Sequence, residues 1–417
     1  MSDDLHREIL GDAIDAFLRA VLQQQREAAD QVYGAEPRIA DVSVHVAAVL
    51  GREAELRRLI AEAPARVHER VGEVNADPLL WLCYSPFHGE SDERDDALAA
   101  TATVLLEAGA DPNTRDGRYQ VPALYAVTGM NNAPRIAQLL LDAGASVNDG
   151  ESLFHAAEHF HEEALALLLR YGADVNARGD WGNTPLYFLI RYHDITVESP
   201  RWKGILWLLD HGADPNVRSG REQETALHVA ARRGHLPELV KLLIEHGADV
   251  HARRADNRTA WNLAGRNAHD ALVALLEEFG AEPETISSVD VLIRTCARGD
   301  IDAARALSRH DLLMAFTDED LRMLPEAAAA GRAAVVNACL AAGFPVNTID
   351  QMGATALHHA AIRGDAKLVG ELLEHGADTQ IRDHEHAATP FEWGEYGRQH
   401  FGDAEGDYPR TRQLLQP

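Results

Sequence analysis

Lysine is almost absent from this chain: three residues, Lys203, Lys241 and Lys367, stand against 36 arginines in 417 positions. None of the three follows a glycine, so the phosphate-binding loop that ends in Gly-Lys-Ser/Thr is missing. G-x-G-x-x-G, G-x-S-x-G and C-x-x-C are missing too, which removes the familiar sequence routes to dinucleotide binding, serine hydrolysis and dithiol redox chemistry. Cysteine is as scarce as lysine. Cys83, Cys296 and Cys339 lie far apart or inside apolar helical segments, a pattern that fits neither a disulfide framework nor a cysteine zinc site and predicts reduced, buried thiols. Aromatic residues make up only 6%, and no apolar run approaches the roughly 18 residues that cross a bilayer, so the chain reads as a non-membrane protein. Basic residues are outnumbered, 39 to 66, for a net charge of −27. That balance repels phosphate backbones and argues against nucleic acid or an anionic membrane as partner; an anionic partner has to find a local basic patch. The start, Met1-Ser2-Asp3-Asp4, is acidic and the helix after it is broken by charge, unlike a secretory signal or a transit peptide, so a cytoplasmic location is expected. Abundant alanine and the excess of arginine over lysine point to a GC-rich bacterial genome.

What the chain has in quantity is repetition. Gly-Ala-Asp-x-Asn stands at Gly109, Gly172 and Gly212, with variants at Gly144, Gly247, Gly280, Gly343 and Gly376. These glycines are spaced 35, 28, 40, 35, 33, 63 and 33 residues apart, and the long interval is close to two units of about 32. A second element lies between them: Thr225-Ala226-Leu227-His228-Val229-Ala230-Ala231, Thr355-Ala356-Leu357-His358-His359-Ala360-Ala361, Thr184-Pro185-Leu186-Tyr187 and Thr389-Pro390-Phe391. Threonine caps a helix N-terminus, proline suits the first helical position, and the alanine pair lets neighbouring helices approach. The apolar spacing of Leu236 to Ile244 predicts a second helix, and Gly247 supplies the left-handed residue that ends it.

The unit from Thr225 to Val250 resembles the ankyrin repeat, and the resemblance extends over about 375 residues, from near Ser43 to the C-terminus, in about eleven units, several of them degenerate. Those near Ser43, Asp77, Asp290 and Arg322 depart from the Thr-Pro-Leu-His pattern, and the last carries an insertion around Gly402 to Tyr408. The resemblance implies an all-α solenoid of helix-turn-helix units with finger loops. Helix pairs this short bury their apolar faces only against neighbours, which leads to the same architecture. Residues 1–40 fall outside the repeat; Ile14, Phe17, Leu18, Val21 and Leu22 form one apolar stripe of a capping helix, with a partner-binding helix as the other reading. A break at Ala281 to Thr285 would divide the repeats into arrays 41–284 and 285–417, and an uninterrupted solenoid is the alternative.

One string looks catalytic. His155-Ala156-Ala157-Glu158-His159 has the H-x-x-E-H spacing of a class of zinc peptidases, with both histidines on one helical face. The plainer reading aligns His155 with His228 and His358, the repeat's own histidine, which by the resemblance bonds loop backbone. His384-Glu385-His386 reads as a solvated finger turn. No metal and no cofactor are therefore expected.

The resemblance places function on the concave groove, at loop tips and at the C-terminal ends of the inner helices. Alignment on Thr225 puts His159, Arg191, Arg232 and Arg266 in one basic column, widened by Arg221, Arg254 and Arg258 on adjoining loops. The next column holds Met130, Phe160, Tyr192 and Arg233, while Tyr119 and Trp181 sit at loop tips. Arginines with aromatics are the composition of interaction hot spots; arginines near helix C-termini also complement the helix dipole or neutralise acidic neighbours. One unit is five residues short and the next seven long, the extra residues falling near His193 to Pro200, which should notch the groove around His155, His159, Phe160, Trp181 and Tyr192. The expectation is a non-enzymatic, monomeric protein-interaction scaffold that binds an acidic peptide or protein segment in this groove. A carboxylate or phosphate receptor, or an enzyme built into the notch of the units spanning 122–216 from Tyr125, His155, His159, Tyr187 or Arg191, is the alternative, followed by self-assembly.

Overall fold

The computed structural model describes residues 3–192, 195–401 and 406–416. His193 and Asp194 of the lengthened segment, and residues 402–405 of the insertion in the last unit, lie outside them. Among the described residues the chain is helices joined by turns and loops, with no strand and only isolated bridges such as Arg115 with Pro122 and Ser219 with Glu224. It divides into two compact units, one of residues 1–230 with 238–256, the other of 231–237 with 257–417. Residues 281–287, where the sequence suggests a break, carry no helix and lie inside the second unit.

Short antiparallel helix pairs follow one another in both units. In the first they include Val44–Val49 with Glu53–Glu62, Ser152–His159 with Glu162–Arg170, and Pro185–Ile190 with Pro200–Asp210. In the second they include Ala260–Arg266 with Asp270–Glu278 and Ala356–Ile362 with Ala366–Glu374. The recurrent letters explain the local structure. Thr184 caps its helix by accepting from the Tyr187 amide, and Thr259 with Asn262 forms a reciprocal capping box. The alanine pairs Ala156-Ala157 and Ala360-Ala361 are wholly buried. The asparagine of Gly-Ala-Asp-x-Asn ties each unit to the next. Asn113, Asn176 and Asn216 donate to the carbonyls of Gly144, Gly212 and Gly247 and accept from the amides of Ser146, Asp214 and Asp249. A side-chain amide thus satisfies two backbone groups that the loop would otherwise leave open.

The stripe of the Asp3–Leu22 helix is inward: Phe17, Leu18 and Val21 are buried, and the helix packs on Arg26–Ala35, Ile39–Val42 and Val44–Val49. Gln24 closes the joint by donating to the Tyr84 carbonyl at 2.9 Å. All three cysteines are free thiols and buried. No described helix is long and apolar enough to cross a membrane.

Candidate functional site

The shortened unit sets the geometry of the site. Its inner helix, Ser152–His159, ends at Phe160, which is left-handed with φ 53° and ψ 54°. The Phe160 and His161 amides donate to Ala157 and Ala156, as those of Ala268 and His269 do to Gly265 and Ala264, and those of Gly364 and Asp365 to Ala361 and Ala360. Phe160 therefore occupies the turn position of Ala268 and Gly364, and Glu151, not Ser152, occupies that of Thr259 and Thr355. This moves the sequence alignment by one residue. His155 shares the position of Val229 and His359 rather than that of His228 and His358, and the position of Arg232 is held by Glu158 rather than His159. The cause is the truncated finger: Asp149 accepts from the Glu151 and Ser152 amides and from the Ser152 hydroxyl, and so starts the helix from outside it.

His155 consequently does not bond loop backbone. Its Nδ1 lies 2.8 Å from Glu158 Oε2 and its Nε2 3.2 Å from Glu151 Oε2, with the rings of Tyr125 and Phe188 edge-on at 4.8 and 5.3 Å. Burial opposes a charge on the ring, but the hydrogen bonds to Glu151 and Glu158 outweigh it and raise the imidazole to about 9. Glu158 answers: burial pushes it up, while His155 and Arg201, the latter at 2.8 Å, bring it down to about 2. Arg201 also lies 4.1 Å from the Tyr192 ring centroid, and Arg191 caps the rings of Phe188 and Tyr192. Two residues on from Arg201, Lys203 sits 5.9 Å from the Phe160 ring. Burial keeps His159, stacked on His161, below the usual imidazole value. The metal-ligating atoms of His155, Glu158 and His159 fall within 4.8 Å of one another. A cation entering there would have to displace both the His155 proton and the Arg201 guanidinium.

The basic column is not an open stripe of positive charge. Arg266 is buried, its Nε 2.9 Å from Asp290 and its Nη2 bonded to Asp320. Arg258 shares Asp290 at 3.2 Å, and Arg232 pairs with Glu319 at 3.4 Å. Arg254, expected on an exposed loop, has a side chain 0% exposed and is clamped between Glu224 and Asp256 at 2.8 and 2.7 Å. Burying a guanidinium is expensive unless carboxylates meet it, so these four arginines are consumed by the fold. Arg233 is half-buried. Arg191 and Arg221 are exposed, with no carboxylate partner among the described residues. Trp181 is 85% and Tyr119 63% exposed, Met130 and His159 are exposed, and Phe160 and Tyr192 are half-buried.

Sequence reasoning passed over Glu151, Phe188 and Arg201, and met Glu158 only within the H-x-x-E-H string and Lys203 only as one of three lysines. Arg201 and Lys203 lie on the Pro200–Asp210 helix, whose Gly204 is the one signal of a close approach. A groove of about 660 Å³ opens away from this cluster, between the helices Asp92–Glu107, Pro134–Asp142 and Glu162–Arg170, and is lined by Ala99, Arg135, Gln138 and Arg170 among others.

A family model described as ankyrin repeats, three copies, matches residues 123–219, 196–287 and 292–383. Among curated proteins, the chain is 27% identical over 179 residues to the nuclear factor NF-kappa-B p105 subunit of Gallus gallus, covering 41% of this chain and 17% of that protein. It is 35% identical over 150 residues to ankyrin repeat and SOCS box protein 5 of Mus musculus, covering 36% of this chain and 41% of the relative. The chain thus spans less than half the length of either relative. The crystal structure of the human ASB11 ankyrin repeat domain superposes with a TM-score of 0.43 at 25% identity, over 58% of this chain and 99% of that one.

Proposed function

The chain belongs to the ankyrin-repeat family, whose repeats mediate protein–protein interaction, and from that premise we propose that it is a non-enzymatic scaffold that grips an acidic segment of a partner protein. The carrying observation is the contrast between its two kinds of arginine. Arg232, Arg254, Arg258 and Arg266 are spent on internal carboxylates, whereas Arg191 and Arg221 are exposed, as are Tyr119, Met130, His159 and Trp181, with Tyr192 half-buried. An exposed tryptophan and a ring-stacked arginine offer large contact area with little entropy to lose, the economy of interaction hot spots. In a chain of net charge −27, unpaired cations beside aromatics favour carboxylate-bearing partners.

The test is affinity capture from a bacterial extract with the wild-type chain and with Trp181→Ala/Arg191→Glu, read by mass spectrometry. Proteins retained by the wild type should be lost with the double variant and kept with Arg305→Glu, an exposed change in the second unit. Equal retention by all three chains would overturn the assignment of this surface.

A further inference from the structure

Phe160 stands at a left-handed turn that in other repeats carries glycine or, at Ala268, the smallest side chain. The turns from inner to outer helix are left-handed at Gly51, Gly234, Gly299, Gly331 and Gly364, with φ between 63° and 72°. Phe160 makes the same turn at φ 53°. A β-carbon in that region crowds the following carbonyl, and a bulky residue there is a genuine outlier. Nothing in the core repays the strain, because the Phe160 side chain is only half-buried and is not among the residues that fill the interior. Its ring faces the Lys203 ammonium at 5.9 Å and lies one residue beyond the exposed His159. Lys203 is exposed and, like Arg191, has no carboxylate partner among the described residues. Strained positions of this kind cluster at sites of function.

We propose that Phe160 is the specificity-determining anchor of the partner surface, receiving an apolar or aromatic side chain of the partner while Lys203 and Arg191 receive flanking carboxylates. The proposal rests on the scaffold reading above and narrows it to one kind of ligand, an acidic segment carrying an aromatic residue. The charge complementarity is local: the only lysine in residues 1–240 is placed beside the only left-handed phenylalanine among the described residues.

The probes are immobilised synthetic peptides of three kinds: a phenylalanine flanked by glutamates, the same with lysines replacing the glutamates, and the same with alanine replacing the phenylalanine. The full wild-type chain should retain the first at least about tenfold more tightly than either other, a difference of about 1.4 kcal/mol. Phe160→Gly should remove the preference for phenylalanine over alanine and raise the apparent thermal midpoint by about 2–4 °C, because the turn is relieved. Lys203→Gln should remove the preference for glutamate and leave the midpoint unchanged. The proposal is overturned if the wild type does not discriminate among the peptides, if Phe160→Gly discriminates as the wild type does, or if Phe160→Gly lowers the midpoint. Phe160→Gly in the capture experiment separates the two ideas: undiminished capture removes the anchor and leaves the scaffold standing, whereas failure of Trp181→Ala/Arg191→Glu to alter capture strikes the scaffold surface itself.

Discussion

Gly204, in the helix Pro200–Asp210, lies directly against the backbone of Ala157: a β-carbon at Gly204 would come within 1.9 Å of the Ala157 carbonyl oxygen. This contact of backbone on backbone delivers Arg201 to Glu158 and Lys203 to Phe160. An alanine for glycine inside a helix ordinarily stabilises by about 1 kcal/mol. Here the sign should reverse. Gly204→Ala forces the two helices apart and should cost about 1–3 kcal/mol. Thermal unfolding would check it, and a stabilised variant would mean that the helices do not meet this closely in solution.

The imidazolium of His155 makes stability depend on pH in a predictable direction. Its folded value of about 9 lies above the ordinary imidazole value of 6.5, so its contribution is complete below about pH 6.5 and is lost as pH rises through 9. Glu158, at about 2 against 4.5, acts in the opposite sense: its contribution is present above about pH 4.5 and fades as pH falls through 2. Together they place the greatest stabilisation between about pH 4.5 and 6.5. His155→Gln should flatten the alkaline limb between about pH 6.5 and 9 and also weaken the acid limb, since His155 is the first of the two groups that depress Glu158, leaving only the part that Arg201 maintains. A wild type whose midpoint does not move over the alkaline range would contradict the clamped imidazolium.

The repeat was legible because its punctuation is local. Gly-Ala-Asp-x-Asn encodes a helix end, a turn and the side-chain bridge to the next unit within five residues, and each of these is a short-range requirement. The register of the shortened unit was not legible. Ser152 looks like the capping threonine of its neighbours, yet the truncated finger hands capping to Asp149, and the one-residue slip exchanges Glu158 for His159 in the column that mattered most. Nor could spacing reveal that Arg232 and Arg266 are neutralised, since Glu319 and Asp320 stand far along the chain and meet them only through the tertiary fold. Trp181 and Tyr119 were legible as exposed because finger tips have no neighbour to bury them.

At the N-terminus, Phe17 is wholly buried in a helix that packs on the first helix pair. Phe17→Ala should cost about 3–5 kcal/mol locally. In a repeat array such a loss stays near its origin, so amide exchange should quicken in Val44–Val49 and Glu53–Glu62 and leave residues 260–374 unchanged. Uniform quickening along the chain would show instead that the array unfolds as a single cooperative block. Unchanged exchange everywhere would deny the helix its covering role.

The pair Arg266 and Asp320 tests whether the second unit depends on buried charge. The Asp320 side chain is 1% exposed. Burial pushes its carboxyl up, but the Arg266 charge and the bonds from Thr317 more than compensate and hold it below the usual carboxylate range. Arg266→Met removes the compensation while leaving Asp320 and Asp290 in place, and should cost about 3–5 kcal/mol, the penalty for stranding a buried charge. A group whose folded value is depressed contributes stability above its unfolded value and loses it as pH falls. Arg266→Met removes the largest cause of that depression, so the gap in stability between variant and wild type should be widest near neutral pH and narrow on acidification, as protonation relieves the stranded Asp320 charge. Adding Asp320→Asn to Arg266→Met should restore part of the loss, because an amide oxygen still accepts from the Thr317 amide and hydroxyl while no charge is left at position 320. A double variant no more stable than Arg266→Met alone would mean that Arg266 acts chiefly by packing its aliphatic stem or through Asp290, and that the Asp320 pair is not what fixes this arginine inside the protein.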